Sequence, residues 1–229
     1  MIPLRDVIPS RTTPGVTITI IVLNVIVYLF GLMLTDRGRD AFIIAFGLVP
    51  AYFSLVNVFT AMFVHGGIAH LGGNMLFLWI FGDNVEDRLG HVRFIAFYLI
   101  CGFAAAFAQT LLNPSSLVPM VGASGAIAGV MGAYLVLYPN SRVLMLFPFP
   151  VFLFELPAIV FLAIWFLLQF LNAISQLPFF EQDAITGGVA FWAHVTGFVM
   201  GLILVVFMKR PERTRVEWWD TVKNERPSN

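Results

Sequence analysis

Three short blocks carry side chains suited to acyl transfer. In Val121-Gly-Ala-Ser-Gly-Ala126, Ser124 follows a loop containing proline and serine and opens an apolar run. That places it near a helix N-terminus, where free backbone N–H groups face any anion. A serine there can attack a carbonyl while nearby N–H groups steady the oxyanion. Gly122 and Gly125 leave the backbone uncovered. A packing role explains the same residues, because Gly125 and Gly129 form the small-xxx-small pair that membrane helices use for close contact. In the second block, Trp192-Ala-His-Val-Thr-Gly197, the small residues Ala193, Gly197 and Gly201 recur every four positions, so they share a helix face. His194 borders that face. Docking it on Gly125 and Gly129 brings Ser124 and His194 together, where a neutral imidazole can take the serine proton. The alternative is a histidine that simply bonds across helices. In the third block, His65-Gly-Gly-Ile-Ala-His70-Leu-Gly-Gly-Asn74, His70 and Asn74 are four apart and share a face. Both are neutral donors that suit an oxyanion hole. They also suit a polar clamp between helices, a role that fits His65 in particular. A metal site is the weaker reading of these histidines: no His-Glu-x-x-His motif and no neighbouring carboxylate accompanies them.

The elements that must position these residues are membrane-like. The chain has 229 residues, 59% of them hydrophobic and 11% charged, and a mean hydropathy of +0.88. Soluble domains are about 25% charged. A formal net charge of zero leaves no basic footprint for nucleic acid. Cys101 is the single cysteine, which excludes an intrachain disulfide and a Cys-based zinc site. The first residues show no signal-peptide pattern, and with short polar ends no separate soluble domain is expected. Six segments approach the roughly 20 apolar residues a span needs: 15–34, 66–82, 94–112, 121–138, 151–177 and 187–208. The fifth carries Glu155, for which the sequence offers no role beyond a reach to the membrane interface. Residues 41–64 are a seventh candidate, but Pro50 interrupts them and favours a re-entrant or interfacial segment. With six spans and the N-terminus inside, eleven of the thirteen Lys and Arg residues lie inside. A seven-span arrangement with the N-terminus outside scores equally, so charge leaves the count open. Both arrangements put the C-terminus in the cytoplasm and Asn74, Ser124 and His194 toward the outer face. His91, in a charged loop, reads as solvated, and Trp218-Trp219 of the tail suit a membrane interface.

Together the blocks resemble the rhomboid family of intramembrane serine proteases. The matching stretches are HGGIAHLGGNMLFLWIFG (65–82), EDRLGHVRF (86–94), GASGAIAG (122–129) and FWAHVTGFVMG (191–201), in family order. The resemblance implies an all-α polytopic membrane protein, a six-helix bundle with a partly membrane-embedded first loop. Residues 1–14 would be a short cytoplasmic arm, 15–208 the protease domain and 209–229 a cytoplasmic tail. It implies a catalytic dyad of Ser124 and His194 without a third carboxylate. Asn74, His70 and the backbone at Ser124 would form the oxyanion hole, with His65, Gly122, Gly125 and Gly197 in support. It implies a bacterial or archaeal cell membrane as the location, single-span transmembrane proteins as substrates, and no metal or organic cofactor. The helix at 151–177 and a cap at 178–188 would form the substrate gate.

Two positions depart from the family pattern. Ala128 stands where some members place an aromatic ring against the histidine, so support for His194 falls to other rings, with Phe198 and Trp192 as candidates. Val56-Asn57 stands where some members anchor the loop with Trp-Arg. The competing functional class is a catalytically silent, client-handling relative, yet such relatives typically lose the serine or histidine that this chain keeps. A small transporter using the histidines as a proton path would need an internal repeat, and none is visible.

Overall fold

The computed structural model describes residues 2–175 and 190–210. The cap at 178–188 and Trp218-Trp219 lie outside those residues. Eight α-helices fall within them: α1 (Gly15–Leu32), α2 (Asp36–Phe46), α3 (Leu55–Ala61), α4 (Ile68–Leu89), α5 (His91–Leu112), α6 (Ser124–Leu137), α7 (Ala158–Ser175) and α8 (Phe191–Met208). Four of these, α1, α5, α7 and α8, are long and apolar enough to cross a membrane. Much of their apolar surface faces outward, as with Val22, Ile26 and Phe30 on α1 and Ile164, Leu167 and Leu168 on α7. In water such a surface is a liability, whereas hydrocarbon accepts it without cost.

The centre of the bundle is α6. It has only 14 residues, and Gly125 through Tyr134 are all buried. The most extensive contact in the fold is between α6 and α8, and glycines set it. A Cβ on Gly197 would run into the Gly125 carbonyl oxygen, and one on Gly201 into that of Gly129. On another side of α6, a Cβ on Gly125 would come 2.5 Å from Ala105 Cβ, and one on Gly129 2.5 Å from Cys101 Sγ, both on α5. The helix backbones thus pack directly on their neighbours, the arrangement that small residues permit inside membranes. Below this contact, Phe81, Phe94, Phe97, Tyr98, Met131 and Tyr134 fill the core.

The all-α expectation needs correcting. An antiparallel sheet closes the end of the bundle away from Ser124, with strands β1 (Ile2–Asp6), β2 (Arg142–Pro148) and β3 (Val151–Pro157) in that order. β1 pairs Ile2 with Leu146 and Asp6 with Val143, while β2 and β3 form a hairpin around Phe149-Pro150. Residues 2–6 of the N-terminal arm therefore form a strand. The helix expected over 151–177 begins only at Ala158, because residues 151–157 are strand. Its first amides are satisfied by the turn between α6 and β2: Ala158 N–H donates to the Ser141 carbonyl and Ile159 N–H to that of Pro139, at 2.7 and 3.1 Å. Glu155 thus sits on the hairpin and not in a helix, and its carboxylate faces Arg142 at 3.3 Å.

Residues 36–61 form short pieces, α2, a turn of 3-10 helix at Pro50–Tyr52, and α3. Pro50 starts the 3-10 turn, a position where its missing N–H costs nothing. Asn57 ties the pieces together by donating to the carbonyls of Ala45 and Gly47 at 2.9 and 2.7 Å. Thr60 adds a bond to the Phe46 carbonyl at 2.7 Å. The loop therefore has its own anchor at the position where Trp-Arg is missing. Leu48 and Met120 exchange two backbone hydrogen bonds and join this segment to the loop before Ser124.

A long-range cap fixes α1. Fully buried Glu86, near the end of α4, accepts from Val16 N–H at 2.9 Å and Thr17 N–H at 2.8 Å. A carboxylate at a helix N-terminus is favoured by both the free amides and the dipole. His91 pairs with the same carboxylate through Nδ1, so it is half-exposed and partnered where the sequence suggested simple solvation.

Candidate active site

Ser124 is the first residue of α6, and Ala123 precedes it as N-cap. The segment leading in is held by Gly122 N–H donating to the Ala61 carbonyl at 2.8 Å. Gly122 has φ of 115°, a left-handed conformation that favours glycine. The chain turns sharply there and presents Ser124 with the unpaired amides of the first helical turn. His194 lies in the first turn of α8. The close α6–α8 packing brings its Nε2 to 2.7 Å from Ser124 Oγ. That separation suits transfer of the hydroxyl proton to the ring.

His70 and Asn74 share a face of α4 opposite this pair. A Cβ on Gly122 would stand 2.7 Å from His70 Nε2 and 3.5 Å from Asn74 Nδ2. The missing side chain of Gly122 thus leaves a space against which both donors lie. Asn74 Nδ2 also donates to His65 Nε2 at 2.9 Å. An amide nitrogen carries two hydrogens, so holding one on His65 orients the carboxamide and leaves the second free. The His65 and His70 rings meet edge-on, with centroids 5.0 Å apart. Ser124, His194, His70, Asn74 and Gly122 all line one cavity of about 920 Å³.

The ring of His194 is held by residues the sequence did not single out. Trp165 of α7 lies against it, centroids 5.9 Å apart, and Phe191 meets it edge-on at 6.3 Å. Gln169, one turn along α7 from Trp165, places Oε1 2.8 Å from His194 Nδ1. Phe198, a candidate for this support, sits one turn farther along α8. It packs on Trp165 at 6.0 Å and Phe166 at 4.9 Å, so it backs the supporting ring rather than the histidine. Trp192, the other candidate, has no ring contact with His194 among those found in the described residues. The available signal was a neutral amide in an apolar stretch, four residues after a tryptophan. Also among the described residues, no group of three or more His, Cys, Asp or Glu side chains is placed to hold a metal ion.

The comparisons with known proteins point to one family. The family model described as Rhomboid domain matches residues 52–211, most of the chain. The chain belongs to the rhomboid family. It is 35% identical over 151 residues to RHOMBOID-like protein 6, mitochondrial, of Arabidopsis thaliana, covering 66% of this chain and 44% of that protein. Over 102 residues it is 35% identical to Rhomboid protein 1, mitochondrial, of Saccharomyces cerevisiae, covering 43% of this chain and 29% of the relative. A shorter stretch of 86 residues is 40% identical to Rhomboid protease GluP of Bacillus subtilis, covering 38% of this chain and 16% of that protein. In each case this rhomboid chain matches less than half of its relative's length. The family and the apolar helices make it a multi-pass membrane protein.

Proposed function

We propose that this rhomboid is an intramembrane serine endopeptidase that cleaves single-span transmembrane proteins. The observation that carries the reading is the 2.7 Å hydrogen bond between Ser124 Oγ and His194 Nε2, in a cavity also lined by His70 and Asn74. Ser124 attacks the scissile carbonyl as His194 takes its proton. The developing oxyanion is met by the free amides at the start of α6, by Asn74 Nδ2, and by His70 with Nε2 protonated. The tetrahedral species collapses, the imidazolium gives its proton to the leaving amine, and water then frees the acyl-enzyme with His194 again acting as base.

The same reading carries six spans, with residues 36–61 lying between two of them. The end of the bundle bearing Arg5, Arg88, Arg93 and Arg142 is assigned to the inner side by the positive-inside rule. The active site then faces the outer side. A peptide bond in a helical substrate is shielded by its own hydrogen bonds. Substrates with glycine or proline near the cut are favoured, because these residues weaken the helix.

The test is reconstitution in liposomes with a generic single-span substrate, alongside labelling by a fluorophosphonate. Wild type is expected to cleave and to be labelled on Ser124. Ser124→Ala and His194→Ala should lose at least about 10³-fold, the scale set by losing nucleophile or base. Equal cleavage by wild type and Ser124→Ala would defeat the reading, and wild type that neither cleaves nor is labelled would leave a client-handling role.

A further inference from the structure

We propose that Gln169 is the positioning residue for the base, fixing the tautomer and orientation of His194 in the absence of a carboxylate. This rests on the protease reading above. The geometry is a chain of two hydrogen bonds: Gln169 Oε1 to His194 Nδ1 at 2.8 Å, and His194 Nε2 to Ser124 Oγ at 2.7 Å. A carboxamide oxygen only accepts, so the bond to Gln169 requires the hydrogen on Nδ1. That leaves Nε2 with its lone pair toward the serine hydroxyl, the tautomer a general base needs. The opposite tautomer would place a hydrogen between ring and serine and block proton transfer.

Three elements fix the ring. Its two nitrogens are engaged by α6 and α7, and its position along α8 is set by the glycine contact with α6. Trp165 and Gln169 are four apart on α7, so one helix face supplies both the flat support and the polar tether. Gln169 is half-buried and its neighbours on α7 are apolar. A leucine of similar size fits the site sterically, which isolates the hydrogen bond as the quantity being tested. A neutral acceptor orients the ring without adding a charge, whereas a carboxylate would also stabilise the imidazolium. Among the described residues, His70 on α4, across the cavity, is the titratable side chain acting on His194.

The experiment uses the full chain in detergent micelles and follows fluorophosphonate labelling of Ser124 as a function of pH. Gln169→Leu is expected to label about tenfold to a hundredfold more slowly, less than the roughly 10² to 10⁴ that general-base catalysis is worth. Its thermal unfolding should stay close to wild type. Gln169→Glu is expected to recover the rate and to move the acid limb of the profile to higher pH by about one unit or more, since a neighbouring anion favours the charged imidazole. Nitrogen-15 shifts of His194 should show hydrogen on Nδ1 in wild type and lose that preference in Gln169→Leu. Normal labelling of wild type with a Gln169→Leu variant of unchanged rate overturns this proposal alone. So does hydrogen on Nε2 in wild type, or an unmoved acid limb in Gln169→Glu. Wild type that never labels overturns the protease reading and this proposal with it.

Discussion

At the scale of residues, Gly122 is where backbone conformation and chemistry meet. Its φ of 115° is strained for any L side chain, and a Cβ would enter the space beside His70 Nε2. On the proposed mechanism Gly122→Ala should therefore cost activity twice, by shifting the loop that presents Ser124 and by filling the space the mechanism gives to the oxyanion. Loss of one oxyanion donor is worth about 10²- to 10³-fold in kcat. Gly122→Ala is expected to lose at least that, with KM far less affected, in the liposome cleavage assay. An activity within a few-fold of wild type would remove Gly122 from the site. The candidate residues named from sequence were legible because a serine, two histidines and an asparagine stand out in apolar runs, each within three residues of a glycine. Gln169 and Trp165 did not stand out. Each is explained by packing when read in its own helix, and only the crossing of α7 over α8 gives them a shared partner.

At the scale of elements, the α6–α8 contact decides whether Ser124 and His194 meet. Gly201 lies well away from His194 along α8, yet its Cα touches the backbone of α6. Gly201→Val adds volume against a carbonyl oxygen that cannot rotate away. Overpacking of this kind costs about 1–3 kcal/mol, and lateral relief would swing His194 from Ser124. The expected outcome is a lower unfolding midpoint together with slower labelling of Ser124. The spacing of small residues made this contact readable in advance. The hairpin of β2 and β3 was not readable: residues 143–157 are apolar at nearly every position, so the alternation that marks a half-buried strand is missing. Val143 and Met145 face the core while Val151 and Leu153, on the other face, are exposed, so both faces are hydrophobic for different reasons. The proline pair around Phe149 was the surviving clue.

At the scale of the whole molecule, β1 fastens the first residues to the end of the bundle away from the cavity. Asp6 accepts hydrogen bonds there from Tyr134 and from Asn84, the latter at 2.9 Å. Burial lifts its pKa from 3.8 to about 6 against the Tyr134 bond, which lowers it, while the charge of Asp83 adds to the rise. The folded protein thus keeps a proton that the detached strand releases. The resulting stabilisation is fully present below about pH 4, the ordinary carboxylate value, and is lost as pH rises through 6. Amide exchange in β1, corrected for the intrinsic rate, should slow as pH falls from 7 to 5, and Asp6→Asn should abolish that dependence. An unchanged slope in Asp6→Asn would place the titration elsewhere.

The same sheet imposes a parity on the chain. Paired strands must share one side of a bilayer, so between residues 6 and 142 the polypeptide crosses an even number of times. In the proposed six-span arrangement, crossings by α1, α4, α5 and α6 would satisfy that rule, whereas one added crossing within residues 41–64 would leave β1 and β2 on opposite sides. The proposed six-span arrangement is favoured by this pairing over the seven-span one that charge counting left tied: a few hydrogen bonds beside the first residues weigh against an odd number of helices crossing between them.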